Sequence, residues 1–214
     1  MKPLTSSHVV LAALAFAVTS ACSSSSTTTT APTQEKKAEA PPPEPITGRS
    51  AFYKMLPSAR QWSTDVKGIQ LTSIQLSGVK AEPGKAGAWR GIFVSESKGR
   101  MKTFLWSAVD AEGGYRQGTW PGAEESFRGR MGQAAPFFLQ ALQHDSDEAY
   151  QSAIKVEDPA TKGAPKDTPI NFLLEFTPRH PNLAWRVLWG ETVGTARYSA
   201  YVDATTGQFL EKGR

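Results

Sequence analysis

The feature that most constrains this chain is a pattern that occurs twice in the same order. Ala88-Trp89-Arg90 recurs as Ala184-Trp185-Arg186, and Val109-Asp110-Ala111 recurs as Val202-Asp203-Ala204, at offsets of 96 and 93 residues. Upstream, residues 58–67 align with residues 146–155 at an offset of 88, with an aromatic and an aliphatic residue four positions apart in each. Because a repeat decides the fold class before any local motif does, we interpret the pattern as an internal duplication.

Each copy is predicted to be a helix followed by strands. The second copy has its helix cap at Asp145 or Ser146, with Asp147 and Glu148 in the first turn, where the helix dipole favours acidic groups. Apolar runs and turn residues predict strands over residues 69–76, 89–96 and 103–109 in the first copy, and 170–176, 185–189, 197–202 and 208–210 in the second. The first copy's helix is expected over residues 58–66, with further helical pieces at 51–56 and 133–143.

This order predicts the α+β class, with two related helix-on-antiparallel-sheet units in tandem at residues 47–130 and 131–214. Phe104 and Trp106 alternate with Leu105, Ser107 and Val109, so their strand has apolar side chains on both faces. One face should meet the helix. The other should meet the second copy, a partner or an apolar piece of surface, so Phe104 and Trp106 are the candidate interaction or inter-repeat face.

The second copy resembles a PepSY domain. The residues that carry the likeness are Glu148-Ala149-Tyr150 in the helix, Trp185-Arg186-Val187 in a strand, and the closing segment 201–210, which contains Val-Asp-Ala and Gly207. The first copy is a degenerate version, because Glu112 and two glycines follow its Val-Asp-Ala. The resemblance implies a cystatin-like fold in a secreted or membrane-attached module. Relatives occur in protease propeptides and envelope proteins, several are thought to restrain peptidases, and the family supplies no catalytic residues.

The amino terminus is typical of an export signal. Lys2 precedes an unbroken apolar run over residues 9–18, which is too short to span a membrane. The run ends before Ala21-Cys22, which resembles the lipobox of bacterial lipoproteins, although Thr19 stands where the family prefers an aliphatic residue. The resemblance implies removal of residues 1–21 and a diacylglycerol on Cys22, the chain's only cysteine. The alternative is an ordinary signal peptide with an incidental Cys22. Ser23 implies an outer-membrane position facing the periplasm.

Residues 22–46 carry the expected lipid site and then a linker. Runs of serine and threonine are followed by Pro41-Pro42-Pro43 and Pro45, with no large apolar residue before Ile46. Such a segment buries too little surface to offset its ordering entropy, so we expect a disordered spacer.

Charge and composition exclude several functions. The net charge of +4 comes from 24 basic and 20 acidic residues without a long block of one sign, which argues against a nucleic-acid partner. His144 and His180 are the histidines beyond the signal peptide, and both are expected at the surface, so we expect no metal and no cofactor. No catalytic motif is recognisable, and we expect no catalytic residues.

The sequence therefore indicates a lipid-anchored, non-catalytic binding module of the cell envelope. It is held to the membrane through Cys22 and engages an envelope protein or restrains a peptidase. The alternative is a structural or assembly lipoprotein that supports an envelope complex. An affinity for nucleic acid is not expected.

Replacing Cys22 with serine tests the anchor. We expect Cys22→Ser to leave an uncleaved or mislocalised precursor and to abolish metabolic labelling by a fatty-acid analogue, because the thiol that receives the lipid is gone. Unchanged labelling of the variant would contradict the lipid assignment.

Overall fold

The computed structural model describes residues 43–156 and 167–213. Contacts divide the chain into Met1–Ala40 and Pro41–Arg214, and every described residue belongs to the second unit. The predicted signal peptide, Cys22 and all but the last residues of the linker lie outside the described residues. In the two described ranges, no helix has the length and apolar character needed to cross a membrane.

Two helices and ten strands, with one short 3₁₀ turn, make up the described fold. In chain order they are β1 (Ile46–Thr47), α1 (Gly48–Trp62), β2 (Lys67–Ile74), β3 (Lys85–Ala86), β4 (Ala88–Ser95), β5 (Arg100–Ser107), β6 (Gly118–Ser126), the 3₁₀ turn (Leu139–Ala141), α2 (Ser146–Val156), β7 (Ile170–Glu175), β8 (Ala184–Trp189), β9 (Tyr198–Asp203) and β10 (Phe209–Gly213).

Eight of the strands form one antiparallel sheet in the order β10-β9-β8-β7-β2-β4-β5-β6. The halves of the chain meet where β2 pairs with β7, with Leu71 opposite Leu174 and Thr72 opposite Leu173. The α+β class, with a large antiparallel sheet and few helices, is confirmed. Residues 41–214 form a single compact unit, so the division into two tandem units stays a prediction.

The helix α1 continues through Pro57, whereas the sequence analysis placed a helix end there and a second helix over residues 58–66. That prediction is wrong, because the buried stripe runs on through Ala51, Met55 and Ala59. Pro57 removes the helical partner of the carbonyl of Tyr53. Both residues are exposed, so the carbonyl that lacks its helical partner lies away from the packed stripe.

Two further local predictions are corrected. The offset-88 alignment is wrong, because Lys67 begins β2 while Lys155 lies within α2. The helix expected over residues 133–143 is only the 3₁₀ turn. Phe137 instead exchanges backbone hydrogen bonds with Gly68, at 3.0 and 2.8 Å, so the preceding segment is extended.

Both helices lie on one face of the sheet, over a core that contains Trp89 and Trp185. The two indole rings meet edge to face, with centroids 6.2 Å apart. Trp89 Nε1 donates to the carbonyl of Ile46, two residues before α1, and Trp185 Nε1 donates to that of His144, two residues before α2, both at 2.9 Å. Gly48 lies so close that a Cβ there would be 2.5 Å from the Trp185 ring, so this approach requires glycine.

The start of α1 is capped by residues that precede and begin α2. Ser146 Oγ accepts a hydrogen bond from Gly48 N, and Asp145 Oδ1 accepts one from Arg49 N, both at 2.8 Å. Asp145 Oδ1 also accepts from Ser146 N at 2.7 Å, so one carboxylate satisfies amides of both helices. The carbonyl of Asp145 accepts from Ala149 N at 2.9 Å, which confirms Asp145 as the cap of α2.

Phe104 and Trp106 lie in the core beneath α1. Phe104 is 2% exposed and packs edge to face against Phe93, while Trp106 is 8% exposed. Their strand, β5, is separated from β7 by β4 and β2. These two side chains therefore belong to the packed interior of the first half, and the sheet of the two halves is joined by β2 and β7.

Truncation of Trp106 tests this placement. We expect Trp106→Ala to lower the free energy of unfolding of a fragment of residues 41–214 by about 3–5 kcal/mol, because a large buried ring leaves a cavity. Trp120 on β6 is the control, because it is half-exposed and lies opposite Leu105, on the face of the sheet away from the helices. Trp120→Ala should cost clearly less in denaturant titrations, and equal costs would contradict the assignment of faces.

Candidate binding face

The two faces of the large sheet differ in what covers them. Side chains that point toward the helices are buried, among them Phe172, Trp185, Val187 and Val202. Side chains alternate along a strand, so their neighbours point to the opposite face. That opposite face is called the open face here, because the described part of the chain places no helix over it.

One row of side chains crosses all eight strands on the open face. Its members are directly opposite one another on successive strands, and none of them is buried. From β6 to β10 this open row consists of Trp120, Leu105, Arg90, Thr72, Leu173, Arg186, Tyr201 and Glu211.

The centre of the open row holds polar groups without partners. Within the described ranges, Thr72 Oγ1 is shielded from solvent and has no hydrogen-bond partner. Arg90, directly opposite on β4, is exposed, and no hydrogen bond or ion pair of its side chain exists among the described residues. A guanidinium is a strong hydrogen-bond donor, and that of Arg90 is free to pair with an acceptor on a partner.

Gln70 and Glu175 lie beside the open row at the junction of the halves. They are directly opposite one another, and Gln70 Nε2 donates to Glu175 Oε1 at 2.5 Å. Burial raises the pKa of the Glu175 carboxyl, and the hydrogen bond from Gln70 and the charge of Arg186 only partly oppose this effect.

The second half of the open row ends in a stack around Tyr201. The guanidinium groups of Arg179 and Arg186 lie 4.5 and 5.2 Å from the centre of the tyrosine ring, within the range of cation–π attraction. Arg179 Nε also donates to Glu211 at 2.5 Å, and Arg186 donates to Ser199. Each cation at this end therefore has a hydrogen-bond partner in addition to the tyrosine ring.

His180 belongs to the same stack and is not the surface histidine that the sequence suggested. It is 9% exposed, and its ring centre is 4.8 Å from that of Tyr201. Burial lowers the pKa of His180; the charge of Arg179 adds to this, while Glu211 and Asp203 act against it. Nothing in the local sequence signals this burial, because the histidine lies between an arginine and a proline in a loop.

A second loop borders the open row on the first half. Phe127 and Ala134 pack on Ile69 and Val94, with Met131 at the margin, so a small apolar cluster covers the end of β2 and β4 on this face. On the other side of the open row, side chains of the same face are also buried, so the row is a strip between two covered margins; these side chains are Ala88, Asn171, Leu188 and Ser199.

The cleft beside α2 offers no recognisable catalytic arrangement. It has a volume of about 660 Å³, and two pairs of side chains in its lining contact one another, Glu82 with Lys85 and His144 with Glu148. Across the described ranges, no group of three or more histidine, cysteine, aspartate or glutamate side chains is placed to hold a metal ion.

Of the residues singled out from the sequence, Cys22 lies outside the described residues, and Phe104 and Trp106 lie on the helix side of the sheet. The open row was missed, although a signal for it exists. In both Ala-Trp-Arg motifs the tryptophan is buried, so alternation sends Arg90 and Arg186 to the opposite face.

Comparisons with known proteins give no family assignment. No protein-family model matches the chain, no curated protein matches it, and no solved structure matches it. The functional argument therefore rests on the residues and their geometry.

The buried histidine predicts a pH dependence of stability. Its folded pKa is below the ordinary value of about 6.5, so the unfolded chain binds the proton more readily, and the free energy of unfolding falls as the pH is lowered from 7.5 to 5.5. His180→Phe keeps a ring against Tyr201 and cannot titrate. Between pH 7.5 and 5.5, the free energy of unfolding of this variant, measured by denaturant titration at both pH values, should fall by less than that of the wild type. Identical losses would show that His180 does not contribute.

Proposed function

We propose that this chain is a lipid-anchored, non-catalytic binding module of the cell envelope that engages a protein partner through its open face. The observation that carries the proposal is the open row, in which eight side chains from both halves stay unburied while the opposite face is packed. Polar and aromatic groups such as Arg90, Arg186 and Tyr201 are typical of protein interfaces.

The anchor in this proposal is a lipid on Cys22 in the outer membrane, facing the periplasm. Residues 22–46 would act as the spacer, and β1 begins at Ile46, so the folded part starts at the end of that spacer. The tether would hold the open face near membrane-associated partners and raise their effective concentration.

The proposal includes two PepSY-like units in tandem. Supporting it, the order of one helix and then four strands of the large sheet occurs twice, and Trp89 and Trp185 donate to equivalent carbonyls two residues before each helix. An offset of 98 residues then aligns Gly48 with Ser146 and Phe52 with Tyr150. This alignment replaces the offset of 88 for the helices.

The face is favoured over the sheet edges as the binding surface. The edge strand β6 contains Pro121, which has no amide hydrogen to donate, and the acidic pair Glu124 and Glu125. The other edge, β10, carries an irregular register between Phe209 and Glu211. Proline, charge and irregular register are the devices that discourage strand addition.

Capture with matched variants tests the proposed function. Full-length lipidated protein would be cross-linked to its neighbours in intact envelopes and purified after solubilisation in detergent. We expect the double variant Leu105→Ser and Leu173→Ser to lose the cross-linked partner, because it removes half-exposed apolar contacts from the open row. Tyr53→Ser, on the exposed side of α1, is the control and should retain the partner.

The identity of the partner separates the two forms of the proposal. A peptidase whose activity falls when the purified lipoprotein is added stoichiometrically supports restraint, whereas an uninhibited envelope protein supports the assembly role. Cross-linking that is equal in the wild type and the double variant would refute binding through the open face.

A further inference from the structure

We infer that the open row recognises an extended acidic segment of the partner, with two carboxylates four residues apart that pair with Arg90 and Arg186. This inference rests on the proposed function and adds the chemistry of what the face binds. It gives a role to the duplicated Ala-Trp-Arg motif, whose tryptophans form the core and whose arginines lie on the open face.

The first argument is the charge on and beside the open row. Arg90, Arg179 and Arg186 lie on the face, and the bordering loop adds the exposed Arg128 and Arg130. The exposed or half-exposed acidic residues there are Glu125, Glu175 and Glu211. Glu211 is paired with Arg179, and the pKa of Glu175 is raised by burial, so a positive excess is left for an acidic partner.

The second argument is the unmet hydrogen bonding at the centre. Among the described residues, Arg90 has no partner, and the hydroxyl of Thr72 on the next strand has none either. Opposite side chains on neighbouring antiparallel strands have Cβ atoms about 5 Å apart. A carboxylate has two acceptor oxygens, and both can accept from the exposed guanidinium of Arg90 in a bidentate pair.

The third argument is the spacing of the two arginines. Arg90 on β4 and Arg186 on β8 are separated by β2 and β7, which makes three interstrand steps. At about 4.8 Å a step, this is roughly 14 Å. An extended peptide advances about 3.4 Å a residue, so carboxylates at positions i and i+4 match this distance.

The same geometry also indicates which side chain suits residue i+2 of the partner segment, between the two carboxylates. In an extended segment, residues i, i+2 and i+4 point to the same side. When the segment crosses the strands along the open row, residue i+2 lies over the junction of the halves, where Thr72 and Leu173 are directly opposite one another. This position favours a small aliphatic side chain, flanked by the two acidic ones.

Fluorescence polarisation with synthetic peptides tests the inference. The full-length lipidated protein in a non-ionic detergent would be titrated against a capped, fluorescein-labelled nonapeptide that has glutamates four positions apart around a central valine. The control peptides carry glutamines at the same positions, or glutamates only two positions apart. We expect the four-apart peptide to bind at least about fivefold more tightly than either control, and its affinity to fall with added salt.

Variants of the arginines locate the binding site. Arg90→Gln changes an exposed side chain that makes no hydrogen bond or ion pair with the described residues, so it should weaken binding of the peptide about five- to tenfold with little change in stability. Arg186→Gln should do the same, but Arg186 also donates to Ser199, so its fold is checked by unfolding. Arg60→Gln, on the exposed side of α1, should bind like the wild type.

The failures of the inference and of the proposed function are distinguishable. If the four-apart peptide binds no better than its controls, or if Arg90→Gln leaves its affinity unchanged, the acidic-segment inference is overturned. The proposed function then still stands where Leu105→Ser with Leu173→Ser removes the cross-linked partner. If that double variant keeps the cross-linked partner, the proposed function is refuted, irrespective of the affinities measured for the peptides.

Discussion

The pairing of β2 with β7 is the interaction on which the rest of the structure depends. These strands come from distant parts of the chain, and their few paired residues, centred on Leu71 and Leu174, make one sheet of two four-stranded halves. Their union brings Trp89 and Trp185 into contact and places Asp145 and Ser146 at the start of α1. The open row exists only because this junction sets the register of both halves.

The two faces of the sheet have different roles, since one forms the core and the other is the proposed binding surface. On the helix side, buried aromatic rings supply the hydrophobic free energy that stabilises the fold. On the open side, polar and aromatic groups are presented at fixed spacings by a rigid backbone, and the stack of Arg179, Tyr201 and Arg186 limits side-chain motion. Binding to such a surface loses less conformational entropy than binding through a loop.

Local sequence patterns predicted the strands of the second half closely. Apolar runs bounded by turn residues gave β7, β8 and β9 within two residues of their ends, and the acidic first turn located the start of α2. The sequence pattern did not predict β6, because Pro121 and Gly122 interrupt it. It also divided α1 at Pro57. The burial of His180 and the alignment of Arg90 with Arg186 depend on pairing between distant strands, which no local pattern encodes.

The shared cap at Asp145 has a consequence for the order in which the chain acquires its structure. Synthesis delivers α1 and β2 well before Asp145 and β7 exist, so the first half at this stage has an uncapped helix and has β2 as an edge strand, paired only with β4. The free side of an edge strand is a template for association with other chains. Contacts between distant residues also slow folding. The free side of β2 is therefore exposed for a time, although this strand lies at the centre of the finished sheet. How much the chain associates with other chains in this period depends on how quickly the second half is made.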